Sequence, residues 1–518
     1  MSYVLAPFFY PWLVHDQLTI LLAKELQIIS GTWLLAVICD GCNDNEYCEI
    51  NPNGSTSICS DCTAKKKDYI SKICKAREID VRYMVLSELH PEASSEYELC
   101  GKERLDIILS TLLKRHRVSS IKGLSLSPRL QENEILREYR FAERIHRCLA
   151  SIVAIGLDIS CAIVFNARFT PYRTTFVTCR RSSIDVLVHE RGARDNSFKL
   201  YKNISCDDTS KQLSILGQES GTLSKGESDQ LALYMDDRFH GRNTGYKPFL
   251  KPVEVRTSLD QSNNQDKETI ILFTSSLDEK TARFREVNVE FYIGLAESLA
   301  KYARNNNLQM IIRHHPNLGA IGSPHGNTSF IDSFAGLLVE YPEIVVYSPE
   351  SEICSYRLLE GAQFCVAPHS SLFLEGLYRK VPMFTTCHSP FQGLFECKYT
   401  LSSLDYGAGE PLLAGAEKCL LSSEYIRGCR EKIDCDHEYI KRLCFDYFVD
   451  VSLDFDGIKI HDTFNADLET LLRPASNVRE GLLRSLARSF ASSREEYDVY
   501  TESRLKEPAP KDDEVYHY

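Results

Sequence analysis

The chain of 518 residues has no excess of positive charge, no long uninterrupted apolar run and no internal repeat beyond an α/β plan shared by its two halves. Each absence excludes something. Lysine and arginine number 60 against 72 aspartates and glutamates, a formal net charge of −12. That balance disfavours a general nucleic-acid or anionic-membrane binder, because neither phosphates nor acidic headgroups would be neutralised. A local basic patch stays open. No Lys or Arg precedes Lys24, so a secretory signal would lack its charged start. A membrane helix needs roughly 20 consecutive apolar residues, and no stretch supplies them. The expectation is a cytoplasmic protein with no nucleic-acid partner and no transmembrane segment, associated at most peripherally with the inner face of a membrane.

Cysteine, by contrast, is abundant, at 19 residues. An odd number scattered through expected strands and helices reads as reduced thiols rather than as a disulfide framework. Cys39, Cys42, Cys59 and Cys62 form two C-x-x-C pairs separated by sixteen residues, with Cys48 between them. This spacing lies in the zinc-ribbon range, where two tight turns aim four thiolates at one tetrahedral ion. Four thiolates leave no open position, so such a zinc would be structural. The competing reading is that Cys39 ends an apolar strand and is simply buried.

A chain this long exceeds one core and suits two domains. The expected division is 1–257, a linker at 258–268, a second domain at 269–491 with closing helices, and a charged, disordered tail at 492–518. An apolar segment at 3–9 precedes a helix led by His15 and Asp16 and carrying Leu18, Leu21, Leu22 and Leu26; a strand follows at 33–39. From 63 to 157 the pattern is mostly helical, with Lys65, Lys66 and Lys67 as a solvated helix start and an amphipathic stretch at 129–154. A strand at 162–165 ends in Asn166-Ala167-Arg168, and one at 186–188 ends in His189-Glu190-Arg191-Gly192. The segment 207–266 is polar and irregular.

The second half repeats the plan. A strand at 269–273 ends in Thr274-Ser275-Ser276, a helix at 291–305 follows, and an apolar strand from 309 ends in Arg313-His314-His315-Pro316. A strand at 344–347, a helix at 355–361 and a strand at 364–367 lead to Pro368-His369-Ser370-Ser371, which opens a helix at 372–378. A last strand runs over 382–385, and helices follow between 411 and 450. Short buried strands, each feeding a helix through a polar turn, indicate doubly wound α/β domains, whose ligands bind at the carboxyl ends of the strands. Glu190, beside His189 and Arg191, suits acid/base work, with an ion pair to Arg168 or Arg191 as the alternative. His15 is either a base at the mouth of the first helix or a plain helix-start residue. Ser370 and Ser371 either hold phosphate with their amides or merely cap the helix, and the two roles are compatible.

In this order and spacing, the segments 165–168, 189–192, 273–276, 313–317, 355–359 and 369–371 with Glu375 resemble the bacterial capsule and surface-polysaccharide glycosyltransferases, over roughly residues 2–386. The resemblance implies a GT-B fold, two Rossmann-like domains facing a cleft, and transfer from a nucleotide-sugar donor to a glycan or lipid-linked glycan acceptor. It implies donor contacts from Arg313, His314, Pro316, Ser275, Ser276, His369, Ser370 and Ser371, with Glu375 as a ribose contact. His315, with Pro316, matches the family's His-Pro element, and Arg313 or His315 would offset charge on the leaving phosphate. Asn166, Arg168, His189 and Arg191 fall on the acceptor side, with Glu190 or His15 as base. Two departures stand out: Ala167 and His369 replace residues that are commonly glycine in the family. No cofactor is required for such catalysis. The Asp-x-Asp sequences at Asp434 and Asp454 lie in the helical carboxyl region, not after a central strand as a metal-dependent GT-A enzyme would need. Two alternatives remain, a nucleotide-sugar 2-epimerase of the same architecture and a non-catalytic nucleotide-binding assembly protein that docks through its cysteine loop.

Overall fold

The computed structural model describes residues 1–9, 13–39, 56–86, 99–116, 128–192, 197–206, 222–240, 267–275, 289–319, 328–351, 353–386, 400–401, 423–449 and 451–452, with 89, 208, 211, 242, 389 and 391 besides. It is a mixed α/β structure with two sheets. The first contains β1 (Ser2–Phe8), β2 (Trp33–Ile38), β3 (Val81–Val85), β4 (Asp158–Phe165), β5 (Asp185–Arg191) and β6 (Ser197–Lys202), in the order β3-β2-β1-β4-β5-β6. Strands β1 to β5 are parallel, and β6 is antiparallel to β5. The second contains β7 (Thr269–Phe273), β8 (Gln309–Arg313), β9 (Val345–Tyr347), β10 (Ala362–Val366), β11 (Met383–Thr386) and β12 (Thr400–Leu401). Its order is β9-β8-β7-β10-β11-β12, parallel throughout. In both sheets the first strand is central, and the chain winds to one side before crossing to the other. The order reverses between β1 and β4 and between β7 and β10, and crevices for ligands open at the carboxyl ends of such pairs.

The strand sequences explain the layering. Along β1, Val4, Ala6 and Phe8 join one core with the helices Leu13–Ser30 and Thr56–Ala76. Tyr3 and Leu5 join another with the helices Pro128–Ala154 and Thr170–Arg181. Side chains alternate between faces with period two, so a strand apolar at nearly every position must be covered on both. The helix Pro128–Ala154 turns Phe141, Ile145, Leu149 and Ile152 to that second core, which bears out the amphipathic reading of 129–154.

Several expectations are corrected. The stretch 63–157 contains β3, and Lys66 is buried rather than solvated. Strand β5 does not end at 188; it continues through His189 to Arg191, because β6 returns alongside and pairs Glu190 with Lys199. The segment 207–266 contains the helix Lys225–Phe239, started by a capping box in which Ser224 and Glu227 exchange backbone and side-chain bonds. Although it lies within the span expected for the first domain, this helix buries Leu231, Tyr234 and Met235 in the core of the second sheet. The helices expected between 411 and 450 are Ser423–Cys435 and His437–Phe448. Residues 258–266 of the expected linker and the tail at 492–518 lie outside the described residues.

Beyond the helix His437–Phe448 the chain returns to the first sheet. There β13 (Val451–Ser452) pairs with β6, and Lys199 Nζ donates to the Tyr447 carbonyl while standing 3.9 Å from the centre of its ring. Among the described residues no helix is long and apolar enough to cross a membrane.

The helix Lys225–Phe239 is locked to the second sheet by a buried ion pair. Arg238 Nε donates to Glu375 Oε1 at 3.1 Å, and the Tyr356 hydroxyl donates to Oε2 at 2.9 Å. Removing one partner of a buried pair strands the other charge, typically at a cost of about 3–5 kcal/mol. Arg238→Met should therefore lower the urea midpoint by the equivalent of about 3 kcal/mol, and adding Glu375→Gln should recover part of the loss.

Candidate functional site

Polar side chains gather at the carboxyl ends of both sheets. In the first, His15 sits in the opening turn of the helix after β1, and its ring stacks on Phe165 at the end of β4, with centroids 3.6 Å apart and planes inclined by 26°. His189 of β5 lies 6.0 Å from the His15 ring. One turn after His15, the Thr19 hydroxyl donates to the His15 carbonyl at 2.9 Å, and its oxygen stands 2.9 Å from His189 Nε2. A carbonyl only accepts, so the hydroxyl proton is committed to it, and the oxygen accepts from His189 Nε2–H. This arrangement leaves Nδ1 as a bare lone pair, and it has no hydrogen-bond partner. Full burial, and then the neighbouring His15, hold His189 well below the usual histidine range, so it is neutral.

The turn after β4 accommodates an alanine at a position of left-handed backbone. Asn166 and Ala167 have φ of 39° and 54°, in the left-handed region that glycine enters freely and alanine enters at a cost of about 1–2 kcal/mol. Asn166 Oδ1 accepts from the Arg168 amide at 3.0 Å, while the Asn166 amide donates to the His189 carbonyl at 2.7 Å. These bonds hold the turn without a glycine. Arg168 stands 4.0 Å from Glu190, whose side chain keeps 19% of its surface exposed, so the ion pair weighed for Glu190 is present. The Arg191 side chain lies outside the described residues.

Two residues in this cluster escaped the sequence reading. Asp16 is 3% exposed and Lys66 is 2% exposed. Lys66 Nζ donates at 2.9 Å to the carbonyl of Phe8, the last residue of β1. Asp16 Oδ2 has no hydrogen-bond partner. Burial pushes the Asp16 carboxyl up to about 7, with the Lys66 ammonium acting against it. The signal for Lys66 was its spacing: it lies four residues before Ile70 and seven before Ile73, on the apolar face of its helix.

The cysteine expectation changes shape. Cys59 and Cys62 lie in the first two turns of the helix Thr56–Ala76, not in a tight turn, and Thr63 Oγ1 donates to the carbonyls of both Cys39 and Cys59. Cys42 and Cys48 fall outside the described residues. Among the described residues no group of three or more His, Cys, Asp or Glu could hold a metal ion.

In the second sheet, the Arg313 guanidinium donates to the carbonyls of His314 at 2.9 Å, of Ser348, and of Ser351 at 3.4 Å. Burial pulls it down to about 10, so it is charged at neutral pH, and among the described residues no carboxylate lies within ion-pair distance. His314, expected to contact the donor, is fully buried, its ring edge-on to Phe330 and Phe334 at 5.9 and 5.1 Å. Burial and Arg313 push it down to about 4, so it is a neutral core histidine. His315 and Pro316 are half-buried, and the His315 amide donates to Thr274 Oγ1 at 3.1 Å. Ser275, just past β7, is 2% exposed, and its hydroxyl has no partner. Ser276 lies outside the described residues.

His369, Ser370 and Ser371 are half-buried in the turn after β10. Ser370 Oγ accepts from the Leu372 amide at 3.2 Å, whereas the Ser371 side chain makes no cap bond. Glu375 corrects the ribose-contact expectation. It is 1% exposed, and both its oxygens are engaged by Arg238 and Tyr356, so it holds the helix Leu372–Tyr378 from beneath. The structure thus groups His15, Asn166, Arg168, His189 and Glu190 at one sheet edge. Arg313, His315, Pro316, Ser275, His369, Ser370 and Ser371 gather at the other, with His314 and Glu375 turned into the core.

No family model matches the chain, and no curated protein matches it. Solved structures do. A β-Kdo transferase, KpsC, from Thermosulfurimonas dismutans is similar at 15% identity and a TM-score of 0.32, over 46% of this chain and 72% of that one. A UDP-GlcNAc 2-epimerase from Neisseria meningitidis is similar at 11% identity and a TM-score of 0.25, over 91% of this chain and 100% of that one. A UGT transferase from Siraitia grosvenorii, solved with UDP, is similar at 10% identity and a TM-score of 0.26, again over 91% and 100%. Likenesses this low fix no activity.

Asp16 gives the site a pH signature. Its folded value of about 7 lies above the ordinary 3.8, so between these values the folded protein keeps a proton that the unfolded chain has released. The stability carried by that proton is complete below the unfolded value and is lost as pH rises through about 7. Asp16→Asn should therefore gain on the wild type by on the order of 3 kcal/mol between about pH 4 and pH 8, measured by urea unfolding across that range.

Proposed function

We propose that the protein is a GT-B-type glycosyltransferase. The second sheet would bind a nucleotide-activated sugar at its carboxyl edge, and the first would receive a glycan or lipid-linked glycan acceptor. The observation that carries this reading is Arg313, a buried cation that hydrogen-bonds only to carbonyls, with Glu350 acting on it from beyond ion-pair distance, at the same edge as the half-buried His315 and the unpartnered Ser275 hydroxyl. A guanidinium in low dielectric without a carboxylate in ion-pair contact favours an anion nearby, and the charge that grows on a departing phosphate is such an anion. The amides and hydroxyls of Ser370 and Ser371 add neutral donors to the same edge. With a fixed cation and hydroxyl donors in place, transfer needs no divalent ion. The ordered motif set supports the same reading, because its segments 165–168, 189–192, 273–276, 313–317 and 369–371 lie at the carboxyl ends of strands in both sheets.

A second reading keeps the donor edge and changes the reaction. A nucleotide-sugar 2-epimerase would use the same His315-Pro316 and Ser370-Ser371 elements and would need no acceptor. NMR of the products from donor alone separates the two readings.

For the transferase, titration calorimetry with UDP, CMP, GDP and dTDP should find one tight nucleotide. Ser275→Ala and His315→Ala should each weaken it about tenfold, the value of one hydrogen bond to a charged group. Transfer should continue in EDTA. Nucleotide binding unchanged in both variants would remove the donor assignment.

A further inference from the structure

We propose that Cys39 and Cys59 form a reversible redox site, closing to a disulfide that ties the end of β2 to the first turn of the helix Thr56–Ala76 when a low-molecular-weight disulfide is present. The role is independent of the transferase reading. Cys39 follows β2 directly, and the helix that returns beside it begins at the same carboxyl edge. Both cysteines are half-buried thiols. Thr63 Oγ1 stands 3.0 Å from the Cys39 carbonyl oxygen and 2.9 Å from that of Cys59, so one hydroxyl holds the two backbones side by side. A helical side chain leans toward the amino end of its helix, which for Cys59 is the end nearest Cys39. Exposure marks the face that is turned inward: Cys59, Cys62 and Thr63 are half-buried, whereas Ser60, Asp61 and Ala64 are exposed.

Other thiols are placed differently. Cys74, Cys161 and Cys179 are buried in the layers of the first sheet, and burial pushes each up to about 12, so they stay protonated and inert at neutral pH. Cys62 shares its helix with Cys59. Helical neighbours three residues apart hold their Cβ atoms about 5–6 Å apart, beyond the roughly 3.5–4.5 Å that a disulfide spans, so Cys59 is better matched to Cys39. In the step itself, the thiolate of one cysteine attacks a sulfur of glutathione disulfide, forming a mixed disulfide and expelling one glutathione thiolate. The thiolate of the other cysteine then attacks the protein sulfur, the protein disulfide forms, and the second glutathione leaves. Both protons given up by the cysteines end on glutathione, and one glutathione disulfide is reduced. Phe8 of β1 is paired with Ile38 of β2, and Lys66, two turns past Cys59, donates to the Phe8 carbonyl. The closed bond therefore fixes strand and helix at the carboxyl edge between β1 and β2.

The test uses the full chain, reduced with a phosphine, freed of reductant and equilibrated in glutathione buffers of rising disulfide content, then alkylated and mapped by peptide mass spectrometry. The expected map joins the Cys39 and Cys59 peptides with the loss of two hydrogen atoms, while the exposed Cys100 and Cys435 carry the alkylating agent or glutathione. Oxidation should raise the melting temperature by about 5 °C, because the bond closes a loop of the unfolded chain, and dithiothreitol should reverse the shift. Cys39→Ser and Cys59→Ser should each lose the bond and the shift, whereas Cys62→Ser should keep both. Melts of the reduced variants that match the reduced wild type establish that they are folded, and the wild-type map decides the pairing without them. Cys39 alkylated at every glutathione ratio, or bonded to any cysteine other than Cys59, would overturn the proposal.

Discussion

A parallel sheet covered by helices on both faces has only its strand ends open to polar chemistry, and the rest of this molecule follows from that constraint. The strands Ser2–Phe8 and Thr269–Phe273 are apolar on both faces, so neither can carry a working side chain along its length. Polar groups are forced into the turns that follow. The amino ends serve poorly, because the helix that leaves each strand starts at the carboxyl edge and brings its unpaired amides there. His15, Asn166, Ser275, His315 and Ser370 share that edge position across two sheets whose sequences have little else in common.

Burial then decides what each polar group is able to do. Three cations with little exposed surface show the range of compensation. Arg238 has a carboxylate, Glu375, in direct contact, and is structural. Lys66 has a backbone carbonyl for its hydrogen bond and a carboxyl group only as an electrostatic neighbour. Arg313 likewise has backbone carbonyls for its hydrogen bonds, with Glu350 only as an electrostatic neighbour. The less complete the compensation, the more a passing anion or proton gains from the site, because a low-dielectric surrounding strengthens whatever interaction remains open. Histidines follow the same rule. His189 and His314 are buried deeply enough to stay neutral, so they orient neighbours and do not carry charge.

Much of the fold was legible in the sequence because parallel strands are continuous apolar runs and their helices are periodic. The helix Leu372–Tyr378 and the βαβ opening were read correctly to within a residue or two. What escaped was set by partners distant in sequence. Strand β5 extends through Glu190 because β6 returns beside it, and no local pattern announces a neighbour. Val81–Val85 was hidden by the helical stretches on either side of it. Lys66 carries a charge that suggests solvent, and only its spacing from Ile70 and Ile73 shows the inward face. Glu375 was taken as a ribose contact because its motif lies beside the turn His369–Ser371, yet the Arg238 that claims it comes from a helix 137 residues earlier.

That helix, Lys225–Phe239, makes the arrangement more than two independent edges. It packs on the second sheet through Leu231, Tyr234 and Met235, and Arg238 reaches the helix that begins immediately after Ser371. Arg442, on the helix His437–Phe448, meets Glu227 at 3.5 Å and Asp446 at 3.1 Å, and the same helix end reaches Lys199 of the first sheet through Tyr447. A displacement of the turn His369–Ser371 would therefore load a buried ion pair, and that pair leads through two packed helices to the strand beside Glu190. Exposed ion pairs would yield to such a load, since solvent replaces them at little cost. The Arg238–Glu375 pair, whose carboxylate is 1% exposed, is the contact of this series that solvent replaces least easily.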